Sequence, residues 1–419
     1  MTHPASMTYQ ELHDWLRLML TPGIGNVTAR QLLAAFGLPE AVFRQSAAAL
    51  QQVVSRAQAQ ALGQTPADLE RLLARTWHWL QEAATDAGVQ RRVLTWGDAS
   101  YPAHLLHVDE PPMLLYVMGQ HLPTARPWWP SIAVVGSRNP TAQGALNAHA
   151  FAKALAQARL CVVSGLALGV DAAAHEGALA GFALAGEPSF CATIAVVGTG
   201  LDRVYPKSHL DLARRIVQSG CLVSEYPLGT PPLAANFPKR NRLIAGLSQA
   251  TLVVEAALQS GSLITARLAN DQGKDVFAIP GSIHAPQSRG CHLLIKQGAK
   301  LVEAAQDVLE EFQHSGFLSA PSPNSPNSPD GTDSPTSPVA RPSLAASLAP
   351  PPWVDVGAAT PSAATLLQDA LGFDPVELDA LQLRTGLDTA QLMAQLMALE
   401  LEGLVARLPG GRFQRLSAP

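Results

Sequence analysis

Apolar and polar positions follow three different rhythms along this chain. Near the start, Leu12, Trp15, Leu16, Leu18 and Met19 recur at helical spacing, and further helices are predicted over 29–36 and 69–87. From Ile132 the pattern becomes a short apolar run, a glycine turn and an alanine-rich helix, repeated. The run 132–135 precedes a helix over roughly 141–158, 160–163 one over roughly 169–184, and 193–197 one near 208–219. Runs at 221–224, 251–254 and 275–279 continue the alternation. Short β-rich runs without polar alternation mark strands buried on both faces, as in a doubly wound parallel sheet. Right-handed crossovers gather the loops after the strands' carboxyl ends along one edge, where open α/β sheets place ligands.

The third rhythm follows an interruption. Ten prolines fall between Pro321 and Pro352, a composition that builds no core and predicts an extended tether. Beyond it, helices are predicted at 363–371, 375–383 and 389–402, then a hairpin turning at Gly410-Gly411. Three helices and a β-wing make a winged helix. The 419 residues thus divide into a helical domain (1–88), an α/β domain (89–314), a linker (315–352) and a winged helix (353–419).

Charge sharpens this division. The net charge of -4 hides a basic core: residues 131–300 hold 15 Lys and Arg against 9 Asp and Glu. That asymmetry suits a localised phosphate-binding face. Residues 360–419 hold 7 acidic and 4 basic side chains, which weakens a DNA role there and makes a protein-interaction module at least as good a reading. Cys161, Cys191, Cys221 and Cys291 are widely spaced and form no CxxC pair, so buried free thiols are expected. No Lys/Arg-led apolar leader and no uninterrupted membrane-length run occurs, so a cytoplasmic protein without membrane contact is expected.

The stretch from Phe237 to Ser248, FPKRNRLIAGLS, is the richest in chemistry. Lys239, Arg240 and Arg242 cannot all be buried, and the stretch reads as a basic loop and small-residue turn at the mouth of the sheet. Gly246 and Ser248 beside the cations suit a phosphate. After the first strand of the α/β domain, Gly136 admits a close backbone, Ser137 offers a hydroxyl and Arg138 a fork of donors shaped for phosphate. Arginine at 138 rules out the GxGxxG dinucleotide fingerprint, and no Walker A sequence exists, so neither a nucleotide cofactor nor ATP-driven chemistry is expected.

After the third strand, Gly198 and Gly200 form a turn, Arg203 and Lys207 add cations, and Tyr205 can stack on a base. Ser260, Ser262 and Thr265 supply hydroxyl and helix-start donors. Gly165 and Gly169 permit tight turns, with Asp171 and His175 on one face of the following helix. No third metal ligand has a recognisable spacing and no nucleophile pairs with the histidine, so an internal hydrogen bond fixing the loop is expected, and no metal. Glu255, at a strand end among positive charges, reads as a residue that orients arginine. In the helical domain, Gly23 and Gly25 around Ile24 resemble a helix-hairpin-helix turn, whose amides can hold a phosphate; Pro-Gly turns also merely connect helices. A row of cations among small residues fits a polyanion better than one nucleotide, and sequence-tolerant single-stranded binding is its natural form.

Taken in order, Gly136-Ser-Arg138, Ser164-Gly-Leu-Ala-Leu-Gly-Val-Asp171 with His175, Gly198-Thr-Gly-Leu-Asp202 with Tyr205-Pro206, the Phe237–Ser248 stretch, Glu255-Ala256 with Ser260-Gly-Ser-Leu-Ile-Thr265, and Pro280-Gly281 resemble the bacterial DNA-processing protein A (DprA/Smf) family. The resemblance implies an extended Rossmann-like domain that binds single-stranded DNA and dimerises. It implies loading of the RecA recombinase onto DNA taken up in natural transformation, protection of that strand, and action on DNA coated with single-strand-binding protein. The implied DNA pocket falls on Gly136, Ser137 and Arg138, with Lys207 and the Phe237–Arg242 stretch, including Lys239, as further contacts. The amino-terminal segment resembles a sterile-alpha-motif-like extension, and the carboxyl domain the winged helix of some members. No family residue points to catalysis. The rival reading is a Rossmann-like nucleotide-processing enzyme that cleaves an N-glycosidic bond, with Asp171, Glu255 and the Ser/Thr-rich loops as its raw material.

Overall fold

The computed structural model describes residues 7–82, 88–122, 128–185, 190–317, 367, 370–372, 374–408 and 410–416. From residue 318 onward the predicted tether lies outside these residues, as does most of the helix predicted at 363–371. The chain forms two compact units, Met1–Leu309 and Glu310–Pro419.

The first unit opens with α1 (Tyr9–Leu20), α2 (Asn26–Phe36), α3 (Pro39–Phe43), α4 (Ala47–Leu50), α5 (Arg56–Leu62) and α6 (Leu69–Glu82). A capping box starts α1: the Thr8 hydroxyl accepts from the Glu11 N–H while the Glu11 carboxylate accepts from the Thr8 N–H. The sheet region follows as β1 (Gln90–Thr95), β2 (Leu114–Gly119), β3 (Ser131–Val135), α7 (Ala142–Gln157), β4 (Cys161–Ser164), α8 (Val170–Ala185), β5 (Thr193–Val196), α9 (Leu210–Ser219), β6 (Cys221–Ser224), α10 (Asn236–Leu247), β7 (Ala250–Val253), α11 (Ser262–Asp271), β8 (Asp275–Ala278), α12 (Arg289–Lys296), β9 (Lys300–Leu301) and α13 (Ala305–His314).

The strands lie in the order β1-β2-β6-β5-β4-β3-β7-β8-β9. From β6 to β9 every pairing is parallel, as the apolar runs predict. At the other edge β1 and β2 run antiparallel, so the sheet is mixed rather than wholly parallel. The sequence pattern misses β1 because an edge strand need not be buried on both faces, and Gln90, Arg91 and Arg92 break the apolar run. Strand β3 is the pivot, with β4 on one side and β7 on the other, which makes the carboxyl end of β3 the topological switch point.

One apolar cluster joins Leu12, Leu16 and Leu32 of the helical segment, and Leu69 and Leu73 of α6, to Tyr116, Ala195 and Leu222 of the sheet. The amino-terminal helices therefore share a core with one sheet face instead of standing as a separate body. The opposite face buries Val135, Val163, Val196 and Val253 against Leu243, Ile244 and Leu247 of α10. All four cysteines are free and buried, as expected.

The second unit contains β10 (Val376–Glu377), α14 (Leu378–Thr385), α15 (Thr389–Leu401), β11 (Val405–Leu408) and β12 (Arg412–Arg415). Its strands order as β10-β12-β11. Gly410 and Gly411 turn the wing with φ of 82° and 72°, a left-handed region open to glycine without steric cost. The helix predicted from Pro375 begins later than expected, because Val376 pairs with Phe413 as strand before the chain coils. Leu381, Leu392, Leu396 and Phe413 fill this unit's core. No described helix in either unit is long and apolar enough to cross a membrane.

Candidate functional site

Four segments of the chain meet at the switch point. The turn after β3 brings Gly136, Ser137 and Arg138; the loop after β4 brings Ala167 and Asp171; α10 brings Phe237 and Arg240; the loop after β7 brings Ser260 and Ser262. Together they line a cleft of about 520 Å³. Gly136 is required by proximity, since a Cβ there would come within 2.7 Å of Val170 and 2.9 Å of the Glu255 carbonyl oxygen. Gly169 has φ +80°, and a Cβ on it would strike the Ser137 and Arg138 carbonyls at 2.5 Å.

Glu255 ties two of these loops together. It accepts from the Thr141 N–H at 2.9 Å and the Thr141 hydroxyl at 2.6 Å, while Thr141 caps α7 by accepting from the Gly144 N–H. Glu255 thus braces the start of α7 through Thr141.

Asp171 and His175 also structure loops, but separately. The Asp171 carboxylate accepts from the Gly165 N–H at 3.1 Å and the Ala167 N–H at 3.4 Å, holding the loop after β4. His175 instead bonds through Nδ1 to the Thr193 hydroxyl at 2.7 Å. That hydroxyl already donates to the Val162 carbonyl, so the ring donates from Nδ1. Burial holds the His175 ring at about 3, with His209 and Arg240 pushing the same way. The pair expected from their four-residue spacing therefore resolves into two anchors, one on a loop and one on β5.

The three cations of the Phe237–Ser248 stretch have three different environments. The stretch is helix α10, not a loop, and residues 236, 240, 243, 244 and 247 face inward at helical spacing. Arg240 falls on that buried face and is only 4% exposed. Its Nη1 stands 4.0 Å from Asp171 Oδ2. Burial lowers its pKa, Asp171 opposes that effect and Arg138 adds to it. Arg242 is half-buried in an ion pair with Glu225. Lys239 alone of the three is exposed. Gly246 and Ser248 are buried; a Cβ at Gly246 would meet Leu105 and Val108 at 2.6 and 2.7 Å, so this glycine serves packing rather than a phosphate.

At the mouth, Arg138 is exposed with its guanidinium 5.8 Å from the centroid of the Phe237 ring. The Tyr205 ring lies 5.4 Å from the Phe237 ring, and Tyr205 is 48% exposed. Arg203 and Lys207 flank Tyr205 on the exposed connection from β5 to α9, outside the cleft lining. Ser260 and Ser262 share a hydroxyl–hydroxyl bond of 2.6 Å at the start of α11. Asn139, Asn241 and Gln259 also line the cleft and carry no charge to betray them in sequence; Asn241 lies inside the basic stretch, and the other two occupy loops after strand ends. Among the described residues no group of three or more His, Cys, Asp or Glu side chains is placed to hold a metal ion.

An open α/β sheet with a polar, arginine-bearing cleft at its switch point, followed by a winged-helix unit, defines a Rossmann-like protein with an added helix-turn-helix module. Comparison with known proteins makes the class particular. Residues 92–313 match the family model described as DNA recombination-mediator protein A, and residues 345–411 match the DprA winged helix domain. The chain belongs to the DNA recombination-mediator protein A (DprA/Smf) family. It is 39% identical to the protein Smf of Escherichia coli K12 over 74% of each chain. It is 32% identical to the protein Smf of Synechocystis over 98% of this chain and 100% of that one. The X-ray structure of DNA processing protein A from Streptococcus pneumoniae superposes with a TM-score of 0.55 at 35% identity, covering 73% of this chain and 99% of that chain.

Proposed function

We propose that this chain binds single-stranded DNA across the carboxyl edge of its sheet, as a cytoplasmic homodimer, and hands the strand to the RecA recombinase during natural transformation. In this role it shields the incoming strand and acts on DNA already covered by single-strand-binding protein. The observation that carries the reading is the cluster of Arg138 and Tyr205 around Phe237, with the guanidinium 5.8 Å and the tyrosine ring 5.4 Å from the phenylalanine ring. A phosphate-shaped fork beside two rings suits a strand whose bases are unpaired and free to stack. Exposed Lys239, Arg203 and Lys207 extend the basic track. Membership of a recombination-mediator family supports the hand-over.

The role requires no bond to be made or broken by the protein. Asp171 and Glu255, which an N-glycosidic enzyme would need free, are engaged by the Gly165 and Ala167 amides and by Thr141. Anisotropy titrations over a salt series should give tighter binding to single-stranded than to duplex oligonucleotides, with little dependence on sequence. Equal affinity for both would sink the reading. The protein should also accelerate RecA assembly on strands covered by single-strand-binding protein, and a folded, DNA-binding preparation that fails to do so would reject the loader role.

A further inference from the structure

Apolar side chains surround α15. Leu392, Leu396 and Leu399 point into the core of the second unit, with Val405 and Phe413 of the wing in the same cluster. On an ordinary surface helix the side turned away from the core is polar. On α15 it is occupied by Ala390, Ala394, Met397 and Leu401, at spacings of four, three and four residues, and all four are exposed. Those spacings keep the four on one line along the helix, a seam about 16 Å long over roughly three turns. This is the pattern by which one helix lies along another. A helix that is apolar on every side is at home only where every side is covered.

The charges around the seam define its occupant. α15 carries no Lys or Arg, and Glu400 and Glu402 stand exposed at its carboxyl end. Among the described residues neither carboxylate has an ion-pair partner. The backbone dipole already leaves negative charge at that end of a helix, so carboxylates are disfavoured there and cations preferred. Two carboxylates break that preference, and a cation brought by a partner corrects it. The wing, with Arg407, Arg412 and Arg415, packs on the inner side of the helix through Val405 and Phe413. Duplex DNA or an anionic lipid surface would set phosphate against the carboxylates. A second copy of α15 would bring Glu400 against Glu400 if parallel, and against Asp388 if antiparallel. Neither arrangement escapes the like-charge contact. The seam also tapers: Ala390 and Ala394 admit a bulky side chain close to the backbone, while Met397 and Leu401 fill their own space.

We propose that the outer face of α15 is a docking surface for a basic amphipathic helix of another protein. The partner lays its apolar stripe along the seam, with bulky residues over Ala390 and Ala394 and lysine or arginine beside Glu400 and Glu402. A contact three turns long covers less than a standard interface, which suits a reversible association. The surface belongs to the second unit and makes no use of the cleft, so its failure leaves the single-strand reading untouched.

The test uses the full chain and a synthetic helix of about fourteen residues, roughly four turns, with leucine along one face and lysine on its flanks. Fluorescence anisotropy should show saturable binding of this peptide. The same peptide with glutamate in place of lysine should bind at least about tenfold more weakly, because like charges then meet. Met397→Ser and Leu401→Ser should each weaken the lysine peptide by about tenfold, the weight of one large apolar side chain taken out of water. Both positions are exposed, so melting curves should stay at the wild-type values. Reversing the carboxylates together, Glu400→Lys with Glu402→Lys, should transfer the preference to the glutamate peptide. Absence of binding by the lysine peptide, or binding that neither serine variant weakens, would overturn the proposal. Equal affinity for the two peptides would do the same. Self-association in sedimentation equilibrium that Leu401→Ser reduces would overturn it in favour of a second copy. Binding of duplex DNA or of phosphatidylglycerol vesicles that Leu401→Ser abolishes would overturn it in favour of a groove or a membrane surface.

Discussion

Around the cleft, solvent meets Arg138, Lys239 and Tyr205; along α15 it meets Ala390, Ala394, Met397 and Leu401. Both regions belong to folds that commonly bind nucleic acid. In a helix-turn-helix the second helix is the one that enters a groove, and here that helix is α15, which holds no Lys or Arg and exposes Met397 and Leu401 by 64% and 84%. The second unit carries Arg407, Arg412 and Arg415 on the wing instead, while Arg384 of α14 donates to the Ala370 carbonyl. A groove-reading helix without a phosphate contact lacks the electrostatic share of binding that every such protein uses. The fold therefore names an ancestry, and the side chains on its surface decide the work.

The sharpest way to separate the two regions is acid. The native His175 ring titrates at about 3, against 6.5 in the unfolded chain, because burial on Thr193 excludes its charged form. The unfolded state thus binds the extra proton first, so His175 supports stability above pH 6.5 and that support is lost as pH falls toward 3. The first unit should lose about 1.4 kcal/mol per pH unit through this window from this one group. The second unit contains no histidine in 367–416 and lacks this liability. Tryptophan fluorescence, to which the first unit contributes six of the chain's seven tryptophans, should show its stability falling with pH. His175→Gln should flatten that dependence; a slope unchanged by the substitution would place the acid sensitivity elsewhere.

A smaller effect tests where DNA is held. Arg138→Ala should cost about 1.5–3 kcal/mol of single-strand binding, the range for charge-assisted contacts. It should also lower the salt slope by about 0.7, one phosphate of a single strand. A folded variant with wild-type affinity and slope would make Arg138 structural. The smallest effect is the most informative about the comparison: removal of residues 353–419 should change single-strand affinity by less than about twofold if the phosphate contacts lie on the sheet edge, as proposed. Loss of binding on that truncation would move the main site to the wing.

Much of this was readable from the chain, for a physical reason. Buried parallel strands require uninterrupted apolar runs, so 132–135, 160–163 and 251–254 fall within a residue of β3, β4 and β7. The helices after the first two, predicted at 141–158 and 169–184, match α7 and α8 closely. What escaped was structure whose signal is carried by partners. Strand β1 depends on pairing with β2, and β10 is two residues long and exists through Phe413. The cations of α10 obscured its period, although 240, 243, 244 and 247 hold the helical spacing that puts Arg240 inside. Counting Lys239, Arg240 and Arg242 as one basic patch followed from charge alone; Glu225 and Asp171, which divide them, lie far off in sequence.

The tie between Glu255 and Thr141 has a further consequence. It joins the exit of β7 to the first turn of α7, and a Cβ on Gly144 would land 2.3 Å from the Glu255 carboxyl carbon. Thr141, Gly144 and Glu255 therefore behave as one chemical unit spread over 114 positions of chain. Substitutions within such a unit do not add: once the carboxylate is gone, the hydroxyl has nothing to donate to and the glycine no longer has to be small. The energetic weight of this wall belongs to the triplet, and no single residue of it can be assigned a share.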